Sequence, residues 1–238
     1  MDNFKIDGLT IKEHLQKLSE SGNKIFTESL NPGVENVLGI RIGDLRKLAS
    51  RIAKADWKQY LAEADTYYME ERMLQGLVLG SIKPDEDVEV YLERVSRFVR
   101  IINSWSVCDV FEFAGGKRFV AKYSERLWQY VCYWMQSDRE YELRFGVVMS
   151  MIYFVDEAHI AALLSRYSEI CSEDYYARMA VAWALSVCFV KFPEETMACL
   201  KTKISDDFIY RKALQKIVES RRVDEQTKAI VRSMRHSR

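Results

Sequence analysis

Breakers are scarce in this sequence of 238 residues, which holds 3 prolines and 10 glycines. A many-turned β fold needs such residues at each turn, so their scarcity excludes most sandwiches and barrels and suits long helices with short joints. Equally absent is any uncharged apolar run of about 18 residues, the length that spans a bilayer. The opening Met1-Asp2-Asn3-Phe4-Lys5 has no apolar stretch behind basic residues, so no leader is read. These two absences point to the cytoplasm and exclude a membrane partner. The five cysteines, Cys108, Cys132, Cys171, Cys188 and Cys199, stand singly with no C-x-x-C pair and read as reduced apolar residues. His14, His159 and His236 are far apart, so neither a metal site nor histidine acid-base chemistry is expected. No phosphate-binding glycine loop, H-E-x-x-H or G-x-S-x-G is present, so the common nucleotide, zinc and serine-hydrolase chemistries have no anchor. Lys and Arg number 35 against 35 Asp and Glu, so any attraction to nucleic acid must come from local asymmetry.

What is present is core and helical periodicity. Hydrophobic residues make up 48% and charged residues 29%, enough for one large globular domain spanning 1–238. Thr10-Ile-Lys-Glu13 is a capping box that starts a helix ending near Gly22. Asn31-Pro-Gly33 marks a turn, and a helix follows over about residues 44–54. Asp56 reads as the next cap, with Trp57 and Tyr60 on one face. Met69, Met73, Leu74, Leu77 and Val78 recur at close to 3.6 residues in a helix stopped by Pro84, and a similar block covers about 87–102. A short helix from Trp105 to Ala114 closes at Gly115-Gly116. Further blocks lie near 118–135, 139–154, 157–170, 174–190 and 194–202, with basic helices near 207–220 and 224–235. About a dozen helices with short joints predict an all-α fold, an α-solenoid of stacked antiparallel pairs.

Few groups remain that carry chemistry. Trp105 and Asp109 are four residues apart, which on a helix sets both on one face. An indole face favours a nearby cation or sugar edge, and a carboxylate stabilises positive charge at an anomeric carbon as its glycosidic bond breaks. On spacing alone the commoner arrangement is a half-buried Trp beside an ordinary surface Asp. Arg144, near the start of an apolar helix, suits a bidentate phosphate contact or, more simply, an ion pair with Glu140. Trp183 lies among small apolar neighbours, where a core role is the plain expectation.

Taken together, Trp105, Asp109, Arg144 and Trp183 form a pattern that resembles the AlkD-like DNA glycosylases, a family of HEAT-like helical repeats. Leu38-Gly39-Ile40-Arg41 with Leu45-Arg46, Glu70-Glu71-Arg72 and Arg211-Lys212-Ala213-Leu214 resemble further segments of that family, so the likeness covers most of the chain. The segment from Gly22 to Ile40 is similar to members with a reduced N-terminus. The resemblance implies an array of helix pairs curved around duplex DNA, acting on cationic N3- or N7-alkylpurines. It further implies that Asp109 stabilises the oxocarbenium-like sugar, that Trp105 and Trp183 line the lesion's deoxyribose, and that Arg144, Arg211 and Lys212 contact phosphates. The resemblance implies no metal or cofactor, while a terminal basic helix with polar faces points to a monomer. Residues 201–238 carry 11 Lys or Arg against 5 Asp or Glu, which suits either a phosphate-facing stripe or a solvated cap. Two rival functions fit the same array: a non-catalytic relative that binds branched or distorted DNA, and a helical-repeat scaffold for protein partners.

Overall fold

The computed structural model describes residues 4–83 and 87–234. Pro84, expected to stop a helix, and the terminal Arg235, His236 and Arg238 lie outside the described residues. The fold is all-α and built of helical repeats: fifteen helices and one two-residue hairpin account for the regular structure among the described residues. None of these helices is long and apolar enough to cross a membrane. The chain forms two compact units, Met1–Ser124 and Glu125–Arg238.

The first unit begins with strands β1 (Lys5–Ile6) and β2 (Leu9–Thr10), paired antiparallel. Asp7 and Gly8 turn them, with φ of 50° and 78°. Positive φ at both turn positions is what Asp-Gly supplies in a tight hairpin. Helix α1 (Ile11–Ser19) starts at the expected capping box: the Thr10 hydroxyl accepts from the Glu13 amide, and the Thr10 amide donates to the Glu13 carboxylate at 2.8 Å. Thr10→Ala is expected to lower stability by about 1 kcal/mol, checked by urea denaturation. Then come α2 (Lys24–Leu30), α3 (Ile42–Ile52), α4 (Trp57–Glu63), capped by Asp56 as expected, α5 (Met69–Ser81), α6 (Val88–Ile101), α7 (Trp105–Asp109) and α8 (Gly116–Lys122). Helix α5 is the hub, packing on α3, α6 and α7. It is buried at every position from Met69 to Leu79 except Arg72, which is why its periodicity is blurred by apolar residues all round.

The sequence predicts one helix from Trp105 to Ala114, but α7 ends at Asp109. The next residues alternate, Phe111 and Phe113 buried and Glu112 exposed, as an extended segment does. That places the Phe111 ring on Phe98 at 5.5 Å and on Phe113 at 5.4 Å. The expected block 118–135 is likewise two helices, broken at Tyr123.

The second unit holds most of α9 (Ser124–Trp134), then α10 (Glu140–Tyr153), α11 (Ile160–Glu169), α12 (Tyr175–Lys191), α13 (Pro193–Thr202), α14 (Asp207–Glu219) and α15 (Glu225–Met234). α12 packs on both α10 and α14, while α11 and α13 pack on each other and on α12, so the helices form two rows. Ala177, Ala180, Ala182 and Ala184 are all buried on α12, and such small side chains let its neighbours approach.

Candidate functional site

In the first unit, α7 carries Trp105 at its first position and Asp109 at its last. The Ser104 hydroxyl accepts from the Val107 amide at 3.2 Å and caps the helix start. Ser106, Val107 and Cys108 turn inward and are buried, while Trp105 and Asp109 remain half-buried on the other side. The i,i+4 spacing thus sets indole and carboxylate on one accessible edge of a helix that packs on α5. The indole Nε1 donates to the Leu30 carbonyl at 2.9 Å, which fixes Trp105 against the end of α2. Near this contact the Asn31 and Asn103 side-chain oxygens are buried without a hydrogen-bond partner.

In the second unit, Arg144 is 6% exposed. Its Nη1 donates to the Tyr176 carbonyl at 2.9 Å, and the Glu140 carboxylate accepts from the Tyr176 amide at 2.7 Å. Glu140 and Arg144 of α10 therefore clasp the backbone of one residue, Tyr176, in the first turn of α12. That helix carries Trp183, half-buried between buried Ala182 and Ala184. Arg144 thus orients the helix that presents Trp183, a positioning role that the local sequence does not suggest.

The sequence profile of the DNA alkylation repair enzyme family matches residues 11–228. The chain belongs to this family. No curated protein matches it. Membership in a DNA repair family makes DNA the natural partner of this DNA alkylation repair family member.

The remaining expected contacts lie on α14. Arg211 is exposed and its Nε is 2.8 Å from Asp207 Oδ2, one turn earlier. The Lys212 ammonium stands 5.9 Å from the Phe208 ring. Further along, Lys228 and Arg232 both pair with Glu225 at 3.0 and 3.3 Å, so part of the C-terminal basic surplus is balanced locally. Arg221 and Arg222 are exposed between α14 and α15.

Two segments that carried the family likeness are joined by a contact the sequence reading missed. Glu70, fully buried on α5, accepts from the amides of Leu38 at 3.0 Å, Gly39 at 2.7 Å and Ile40 at 3.3 Å. Gly39 has φ +79°, and a Cβ there would lie 2.4 Å from the Lys24 Cα. Its own carbonyl accepts from the Asn23 amide at 2.9 Å, so this loop seats the start of α2, whose far end is held by Trp105. Trp105→Phe keeps an aromatic ring but removes the N–H donor. It is expected to speed amide exchange across Lys24–Leu30 while costing about 1 kcal/mol of global stability, read by hydrogen-exchange mass spectrometry.

Proposed function

We propose that the protein is a monofunctional DNA glycosylase that hydrolyses the N-glycosidic bond of cationic N3- or N7-alkylpurines in duplex DNA. The observation that supports this most is the Trp105–Asp109 edge of α7, an indole and a carboxylate left accessible on a helix whose remaining residues are buried. An alkylated purine already carries positive charge, so it leaves without prior protonation. As the C1′–N bond breaks, its electron pair neutralises the base and the positive charge moves to the sugar. Asp109 stabilises that charge electrostatically and orients a water, whose oxygen attacks C1′ and whose proton passes to the carboxylate or solvent. Trp105 offers a flat face to the deoxyribose, and Arg211 and Lys212 offer charge to phosphates of the duplex. Arg144 serves the same end by donating to the Tyr176 carbonyl and keeping α12 in place.

The test is to incubate the purified protein with duplex DNA containing 7-methylguanine and to quantify free base by chromatography. Release in excess of the spontaneous rate supports the reading. Salt-sensitive binding of the duplex without release would instead leave the non-catalytic DNA-binding relative, and absence of both would favour the protein-binding scaffold.

A further inference from the structure

The first unit contains a second polar feature, separate from α7. A cleft of about 430 Å³ is lined by Phe4, Thr10 and Lys12 on one side and by Tyr60, Glu63, Asp65 and Glu71 on the other. That volume lies in the range of small-molecule sites. Its lining carries three carboxylates and one ammonium, leaving an excess of two negative charges. Two of the lining groups are almost wholly buried: Tyr60 is 3% exposed and Glu71 7%. The Tyr60 hydroxyl makes no hydrogen bond among the described residues. Glu71 Oε2 accepts from the Tyr68 amide at 2.8 Å, and among the described residues no side chain donates to the carboxylate. Burial, and secondarily the nearby Asp65 charge, push the Glu71 carboxyl above its ordinary value. A buried carboxylate facing open space beside further carboxylates is stabilised by a cation that enters and donates hydrogen bonds.

We infer that this cleft binds a short alkyl diammonium cation. One ammonium reaches the floor and donates to Glu71 and to the Tyr60 oxygen. The methylene chain lies along the rings of Phe4 and Tyr60, whose centroids are 5.7 Å apart, and the electron-rich ring faces favour the adjacent positive charge. The second ammonium meets Asp65 and Glu63 at the mouth, where both are exposed. An organic dication fits better than a metal ion, because no group of three or more metal-ligating side chains converges among the described residues. The aromatic walls also suit methylenes and not a hydrated ion. This inference does not depend on the glycosylase reading.

The experiment titrates the full-length protein with 1,4-diaminobutane at fixed ionic strength, by calorimetry and by thermal melting, with n-butylamine and magnesium chloride as comparisons. The expected result is saturable diamine binding that raises the melting temperature, with weaker binding of the monoamine. Glu71→Gln keeps an oxygen for the Tyr68 amide and removes the charge, and is expected to weaken binding by about tenfold or more. Tyr60→Phe removes only the hydroxyl and is expected to give a smaller loss, with both variants folded by circular dichroism. No saturable binding by the wild type overturns the proposal. So does equal binding by wild type and Tyr60→Phe together with equal binding by Glu71→Gln, which would mark a general ionic effect.

Discussion

Asp109→Asn is expected to lower the rate of 7-methylguanine release from duplex DNA by roughly 10²–10³-fold, the usual cost of removing one group that stabilises transition-state charge. The substitution is isosteric and retains hydrogen bonding, so the change tests charge and not shape. Its position makes the interpretation clean. Asp109 is the last residue of α7, where the helix dipole is negative and a carboxylate gains nothing from it. The side chain is half-buried and its backbone neighbours Val107 and Cys108 hold the helix in the core, so the variant is expected to melt within a few degrees of wild type. Single-turnover kinetics under saturating protein separate the chemical step from DNA affinity. A variant that releases base as fast as wild type would remove Asp109 from the chemistry. A variant that loses binding in proportion to rate would make it a contact residue only.

The sequence made most of the helices legible because amphipathic helices advertise their buried face. The capping box at Thr10 and the Asp56 cap were readable for the same local reason: their hydrogen bonds span three residues. Helix α2 escaped notice because it buries nothing. Ile25, Phe26 and Leu30 are 81%, 58% and 44% exposed, so there is no periodic core face to see, and Asn31-Pro32-Gly33 drew the eye to a turn. The β-hairpin was signalled by Asp7-Gly8, a pair that sequence reading passed over because its strands are only two residues long. The break at Tyr123 was hidden because apolar spacing continues through it into α9. For the candidate site, the Trp105–Asp109 edge could be read from spacing within one short helix. The partners of Arg144 and Trp105 could not. Tyr176 lies 32 residues from Arg144 and Leu30 lies 75 from Trp105, and hydrogen bonds to a backbone carbonyl leave no trace in the identity of the accepting residue.

The same limit hid Glu70, and it leads to the largest expected stability effect. Glu70→Ala is expected to destabilise the protein by about 3 kcal/mol or more, because buried amides that lose a charged acceptor each forfeit roughly 1–3 kcal/mol. That corresponds to a fall in melting temperature of roughly 6–12 °C for a chain of this size. Glu70→Gln retains one acceptor oxygen. If that oxygen takes the place of Oε1, it serves the Gly39 and Ile40 amides and leaves only the Leu38 amide facing an NH₂ group, so a smaller loss is expected. Gly39→Ala attacks the same junction from the other side. A Cβ 2.4 Å from the Lys24 Cα and 2.6 Å from the Asn23 carbonyl carbon meets backbone, which cannot rotate away as a side chain would. The positive φ adds about 1–2 kcal/mol for any L side chain. The alanine variant is therefore expected to displace α2 from the loop, and with it the Leu30 carbonyl that holds the Trp105 indole. If the junction acts only as a fold element, Gly39→Ala lowers stability and leaves base release unchanged below the new melting temperature. If seating α2 is what orients Trp105, release falls at temperatures where circular dichroism still shows a folded protein, and Trp105→Phe shows the same deficit at a stability cost of only about 1 kcal/mol.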